Sequence, residues 1–324
     1  MTRIDEECIP LAAHMFYQGK SMFDELFDEF GSVSNQGFIP TQPSENRPAA
    51  TLLSQFSLIK VTGPDSERFL QGQLTCDASA LTGNNWLAGA CCTAKGRMVA
   101  NFILVKTPDG FLLRLPRVQA DVLMTHLKKY IVFFKSTLSL AADLHLVGII
   151  NPEDTAAPDA SFHVLEDGYQ LTWADGRQEF WGTKTCSEKR LNGDLCAESA
   201  WQIADITHGW MWVQNESTEA WVPQYIGWQH QHGISFSKGC YTGQEIIARL
   251  QYLGKSKKNL YRISTETDLP AVMSEIQNNG KTIGELASRC GKHGLAVVNS
   301  HDESFNAEIS GQAVVLDKVF YTEE

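Results

Sequence analysis

Lys238-Gly-Cys-Tyr-Thr-Gly-Gln-Glu245 decides how this chain is read, because it sets a thiol at a predicted strand-to-helix junction. Upstream, Gly233-Ile-Ser-Phe236 is short and partly apolar, as a strand end is. Downstream, Ile246, Ile247, Leu250 and Leu253 recur at helical spacing. Thr242 and Glu245 stand in the S/T-x-x-E relation, which predicts a capping box with Thr242 as N-cap and Gly254 as the stop. Cys240 then lies near the positive end of a helix dipole, with Lys238 close in sequence, a setting that favours thiolate. A free cysteine also serves as a small core hydrophobe, and the local pattern leaves both roles open. Gly239 and Gly243 flank the thiol and suit a sharp turn or a close backbone approach.

The octet runs on into Ile246-Ile-Ala-Arg249, and the whole resembles the signature of the YgfZ family of folate-binding proteins. Further matches stand far upstream: Gly63-Pro-Asp65, Phe69-Leu-Gln-Gly-Gln-Leu-Thr75, Asp77, Ala94-Lys-Gly-Arg97 and Lys128-Lys-Tyr130. The likeness covers most of residues 51 to 300.

A chain of 324 residues with 43% hydrophobic content predicts a globular protein of about two domains. No apolar run reaches the length of a membrane span, and Met1-Thr-Arg-Ile-Asp-Glu-Glu lacks the pattern of a signal peptide, so a cytoplasmic protein is expected. Its eight cysteines include no C-x-x-C pair, which excludes a zinc ribbon and a thioredoxin-type motif. Adjacent Cys91 and Cys92 are expected to pack in a core rather than to bond. The net charge of −11 argues against a nucleic-acid coat protein, and direct nucleic-acid binding is not expected. Lys255-Ser-Lys-Lys258 is the best basic patch and reads as a solvated loop.

Along the chain, residues 21–30 place Met22, Phe23, Leu26, Phe27 and Phe30 on one helical stripe, and the polar stretch 31–50 reads as a flexible segment. Thr51 to Val61 is strand-like, followed by a turn at Gly63-Pro64 and a helix that Gly72 stops. Residues 86–92 and 98–105 pair around the turn Thr93-Ala-Lys-Gly-Arg97. A strand over 111–115 leads into a helix over 116–130, with Val118, Val122, Leu123 and Leu127 on its apolar face. Strands follow at 144–150, 161–165 and 169–173, then a helix over 197–208. Five tryptophans crowd residues 201–228, most of them suited to core and one or two to stacking on a flat ligand. His230 and His232 form an H-x-H that a strand would point to one face, yet no further metal ligand is evident. After Lys258, short strands at 260–263, 281–288, 295–298 and 313–316, with a turn at Asn278-Asn-Gly280, predict a small β-barrel.

The expected class is α+β, divided into an N-terminal helix and flexible segment (1–50), a body of two interleaved subdomains (51–253) and a barrel (254–324). The resemblance implies the aminomethyltransferase-like fold, whose body surrounds a central cavity for tetrahydrofolate or a derivative. It implies a role in maintaining iron-sulfur enzymes, tRNA methylthiotransferases among them, through the motif cysteine. Carried over by position, Cys240 is the candidate catalytic residue with Lys238 beside it, and Trp201, Phe56, Tyr241, Gln244, Glu245 and Arg249 are the candidate folate contacts. The acid of the family's Glu-Ala-Gly-x-Pro run falls on Thr207, and the adjacent aspartates of the aminomethyltransferases fall on Ala100 and Asn101. That loss weighs against a tetrahydrofolate-dependent one-carbon transferase, the alternative reading. A Cys-His nucleophile pairing Cys240 with His208, His230 or His232 is a third.

Overall fold

A computed structural model of the protein describes residues 27–151, 160–254 and 256–321; the expected helix over 21–30 lies outside them up to Leu26. Residues 31–50 are not a flexible segment. β1 (Gly31–Ser34) and β2 (Gly37–Pro40) form a hairpin, and β3 (Ala49–Leu52) joins a sheet. Polar composition hid this, because a few residues supply the buried contacts: Phe38 packs with Phe27, Leu52 and Val147 in a small core of its own.

The body is built on two antiparallel sheets. The first has the order β5-β6-β7-β4-β8 and comprises β4 (Phe56–Thr62), β5 (Trp86–Cys92), β6 (Met98–Thr107), β7 (Gly110–Pro116) and β8 (Thr137–Leu140). The second has the order β10-β11-β12-β9-β3, with β9 (His145–Ile150), β10 (Ser161–Leu165), β11 (Gly168–Thr172) and β12 (Gln178–Gly182). Side chains of a strand alternate between faces, and both faces of the first sheet are buried. Leu58, Ile103 and Leu112 enter the large core that holds the tryptophans, whereas their neighbours Ile59, Leu104 and Leu113 pack under α1 (Ser66–Gln73) and α2 (Ala120–Ile131). Cys91 belongs to the second of these cores and Cys92 to the first, both fully buried as expected.

The helices differ in detail from their sequence signals. α1 continues through Gly72, whose surroundings are open, and ends at Gln73. The helix expected from 116 begins as a 3-10 turn over Arg117–Gln119, leaving Val118 at 50% exposure while Leu123 and Leu127 are buried. β8, β12 and α3 (Lys184–Leu191) had no clear signal. In β12 the reason is a fully buried charge, Glu179, at a position where an apolar residue would complete the alternation.

The barrel closes in the order β13-β16-β15-β14-β17-β18. Its strands are β13 (Asn259–Ser264), β14 (Glu275–Asn278), β15 (Lys281–Cys290), β16 (His293–Val298), β17 (Ser304–Ile309) and β18 (Gln312–Lys318). Four were expected; β14 and β17 complete the ring. Asn279 and Gly280 have φ of 52° and 73° between β14 and β15, the left-handed pair that an Asn-Gly turn supplies. Leu260, Leu295 and Val297 face the body, and Tyr321 donates to the carbonyls of Ile226 (3.2 Å) and Gly209 (3.4 Å), fastening the end of the barrel to it.

α4 (Glu198–Thr207) ties the hairpin to the body through one carboxylate. Glu198, fully buried, accepts from Phe38 N (2.9 Å), Ser54 Oγ (2.5 Å) and Gln55 N (3.0 Å). Glu198→Ala strands the buried Phe38 N–H and Ser54 hydroxyl and the half-buried Gln55 N–H, so it is expected to lower the unfolding free energy by roughly 3 kcal/mol. Urea denaturation measures this, and an unchanged midpoint would show that the hairpin is held by something else.

Candidate functional site

The thiol octet sits on a loop rather than on a strand-to-helix turn. Residues 233–243 form no strand, and α5 (Gln244–Leu253) starts one residue later than the capping-box pattern implies. Gly243 is its N-cap, at φ 87°, with no side-chain cap. Thr242 faces elsewhere: its N–H donates to Gly72 O (3.2 Å) and its hydroxyl to Gln73 Oε1 (3.5 Å). The reason is a close approach. A Cβ on Gly243 would lie 2.5 Å from Thr93 O and 3.1 Å from Gly96 Cα, and one on Gly96 would lie 3.0 Å from Ile246 Cβ. Two glycines thus bring Ala94-Lys-Gly-Arg97 and the thiol octet into backbone contact across about 140 residues of chain.

Lys238 anchors this loop. Its buried ammonium donates to Leu74 O (2.9 Å) and Cys76 O (2.7 Å), just past α1, and lies 5.2 Å from the centre of the Tyr241 ring. Burial pulls its pKa down to about 8, against the opposing pull of Cys76 and Asp77. Cys240 itself is exposed, four residues before the first helical residue. Dipole effects fall off within one turn, so access rather than the helix distinguishes this thiol. Cys76 and Cys91 are the contrast, buried and pushed up to about 12 by desolvation. Glu245 and Arg249 are exposed, Gln244 is half-buried, and Tyr241 is buried with no hydrogen-bond partner for its phenol among the described residues.

The H-x-H pair lies in a turn and not on a strand. His230 stacks on Tyr321 at 5.0 Å, and His232 has φ 54°. His208, at the end of α4, bonds through Nδ1 to Ala204 O at 2.9 Å. Among the described residues no group of three His, Cys, Asp or Glu side chains stands close enough to share a metal ion.

A cleft of about 730 Å³ opens where body and barrel meet. Phe56, Trp210 and Trp212 form its aromatic wall, Gln55 and Gln202 its amide rim, and Asp268 and Arg289 stand on the barrel side. Trp210 and Trp212 are two apart on an extended segment and stack at 5.9 Å and 11°; Phe56 meets Trp212 edge-on at 5.9 Å. Asn101 holds that segment from below. Its Nδ2 donates to Met211 O (2.7 Å) and its Oδ1 accepts from Val213 N (2.8 Å). Asp205 accepts from Trp212 Nε1 (2.8 Å) and from Arg177 (2.7 Å). Arg114 lies 3.4 Å from the centre of the Phe56 ring and 4.9 Å from that of Trp212.

Of the candidate folate contacts, Phe56 alone lines this cleft. Trp201 is fully buried, edge-on to Trp173 and 4.3 Å from the Arg177 guanidinium, because its position on α4 faces the core. Tyr241, Gln244, Glu245 and Arg249 belong to the thiol loop and α5 and do not line it either. The residues that do, Trp210 and Trp212, were marked in the sequence only by their i, i+2 spacing within the tryptophan cluster.

Comparison with known proteins places this geometry. Residues 257–318 match the family model of the CAF17 C-terminal beta-barrel domain. The chain is 32% identical over 254 residues to the tRNA-modifying protein YgfZ of Colwellia psychrerythraea, covering 74% of this chain and 78% of that one. It is 35% identical over 261 residues to the protein of the same name from Klebsiella pneumoniae, covering 74% and 80%. Among solved structures, the glycine cleavage system aminomethyltransferase T of Bartonella henselae superposes with a TM-score of 0.65 at 16% identity, over 91% of this chain and 94% of that one. The fold is therefore aminomethyltransferase-like, a mixed α and β body followed by a closed six-stranded barrel. With identities above 30% over more than three quarters of these relatives, the chain belongs to the YgfZ family.

Proposed function

We propose that this protein is a cytoplasmic folate-binding factor that supports tRNA modification, acting through Cys240 on iron-sulfur enzymes such as tRNA methylthiotransferases or on their assembly factors. The aromatic-walled cleft carries the reading. Its volume falls in the range of small-molecule sites, which combine ring surfaces with a few polar groups. A reduced folate offers a flat pterin and an aryl tail to stack on Phe56, Trp210 and Trp212, and a carboxylate tail to meet Arg289. The relatives named tRNA-modifying supply the process, and the exposed thiol supplies a group able to act on a partner.

Asn101 disfavours the one-carbon transferase. Transfer from an aminomethyl donor calls for a carboxylate, whereas both atoms of the Asn101 amide are committed to backbone and Ala100 is buried under the helices. Asn101→Asp would face Met211 O with a carboxylate oxygen. It is expected to lower stability by about 1 to 3 kcal/mol without creating aminomethyl-dependent methylenetetrahydrofolate formation; turnover by the purified variant contradicts this.

Ring stacking is worth on the order of 1 kcal/mol, so Trp212→Ala is expected to weaken tetrahydrofolate binding several-fold in calorimetry. Trp201→Ala should instead act on the fold, losing roughly 3 to 5 kcal/mol of stability. Wild-type protein that binds no reduced folate would remove the folate reading.

Iodoacetamide is expected to label Cys240 before the other described cysteines, which are buried or half-buried. Cys240→Ala should keep the wild-type unfolding midpoint and fail to restore methylthiolated tRNA nucleosides in a null strain. Full complementation would show that the thiol is dispensable.

A further inference from the structure

Of the runs that match the family, Lys128-Lys-Tyr130 belongs neither to the cleft nor to the thiol loop. It lies in the last turn of α2, on the helix-covered face of the first sheet, and leads into a turn that presents two large apolar side chains to solvent. Val132 is 72% exposed and Phe133 77%. Loose packing does not explain them. Tyr130, Ile131 and Phe134 pack into the core beneath α1 and α2, where the Phe134 ring meets Phe69 at 5.3 Å. Phe133 N donates to Tyr130 O at 3.3 Å, Phe134 N to Ile131 O at 2.9 Å, and Lys135 N to Asp65 Oδ2 at 2.8 Å. Both flanks are fixed, so the Val132-Phe133 pair is held out into water.

Four exposed cations accompany that pair. Lys128 and Lys129 precede it, Lys135 follows it, and the Arg68 guanidinium of α1 lies 5.1 Å from the centre of the Phe134 ring. None of the four is in an ion pair among the described residues. The acids close by in sequence are engaged, Asp65 with the Lys135 backbone and Glu67 with Lys106 at 2.9 Å. Cations favour a helix C-terminus, which accounts for Lys128 and Lys129 but not for Lys135, Arg68 or the exposed ring. The chain carries a net charge of −11, yet charges farther away than about 8 Å are largely screened at physiological salt. What meets this tip therefore meets local positive charge around an aromatic surface.

We propose that this tip is a contact site for tRNA, with an unpaired base stacked on Phe133 and Arg68, Lys128, Lys129 and Lys135 on the phosphates that flank it. An aromatic face among cations is how single-stranded RNA is held. Val132 and Phe133 are a small part of the roughly 800 Å² that each partner buries in a standard protein interface. They are a weaker wedge than a myristoyl chain, which by itself binds membranes only marginally. One base and its neighbouring phosphates match their size and charge. The choice of tRNA among RNAs rests on the tRNA-modification reading above. The expectation against direct nucleic-acid contact came from the charge of the whole chain, which the local arrangement of these four residues reverses.

Fluorescence anisotropy with a labelled tRNA, and with a blunt RNA duplex of equal length, tests the site. Wild-type protein is expected to bind tRNA more tightly than the duplex, with log K falling against log salt at a slope of about −3 for four phosphate contacts. Phe133→Ala, a change at an exposed side chain that should keep the wild-type unfolding midpoint, is expected to weaken tRNA binding at least about fivefold at an unchanged slope. The double variant Lys128→Ala, Lys129→Ala should instead make the slope shallower by about 1.5. Equal affinity for tRNA and duplex, or full tRNA affinity in Phe133→Ala, overturns the assignment. So does wild-type protein that ignores tRNA but sediments with vesicles of equal parts phosphatidylcholine and phosphatidylglycerol. If Phe133→Ala keeps its tRNA affinity yet fails to complement the null strain, the tip serves a protein partner and the RNA assignment falls. The tRNA-modification reading fails separately, when wild-type protein does not restore modified nucleosides in that strain; a single-stranded oligonucleotide bound through Phe133 then still supports the tip as an RNA site.

Discussion

The side-chain amide of Asn101 is the contact on which the cleft depends. Residues 210–213 run through the large core without belonging to a sheet, and buried backbone groups outside a ladder must find partners elsewhere. Asn101 provides an acceptor and a donor from one planar group, pairing with Val213 N and Met211 O much as a neighbouring strand would. The segment stays extended, and the two indoles that flank Met211 therefore project to one side.

The thiol loop follows a different logic. Its shape comes from close backbone contact at Gly96 and Gly243 and from the Lys238 ammonium, which holds two carbonyls beyond α1. Cys240 is left exposed at the edge of an anchored loop. Lysine is an unusual residue to bury; here it satisfies backbone oxygens at a helix end, where cations are favourable.

Cleft and thiol are thus separate features of one body. The cleft lies between α4, the 210–216 segment and the barrel, whereas the thiol stands with α1, the 93–97 turn and α5. Behind the cleft wall, Trp228 packs edge-on to both Trp210 and Trp212.

Sequence alone determined the strands with clean alternation, the Asn-Gly hairpin of the barrel, the motif cysteine and the likeness that named the fold. These rest on local period, turn chemistry and a contiguous octet, which need no knowledge of distant residues. Tertiary structure decided the rest. Thr242 was drawn from a local cap to α1 because Gly243 had to approach Gly96. β12 was masked by Glu179, a charge buried against Arg114 from another sheet. Trp201 and Trp212 cannot be ranked by sequence, since both are indoles near a motif; the packing of α4 buries the first, and an amide from β6 holds the second at the cleft wall.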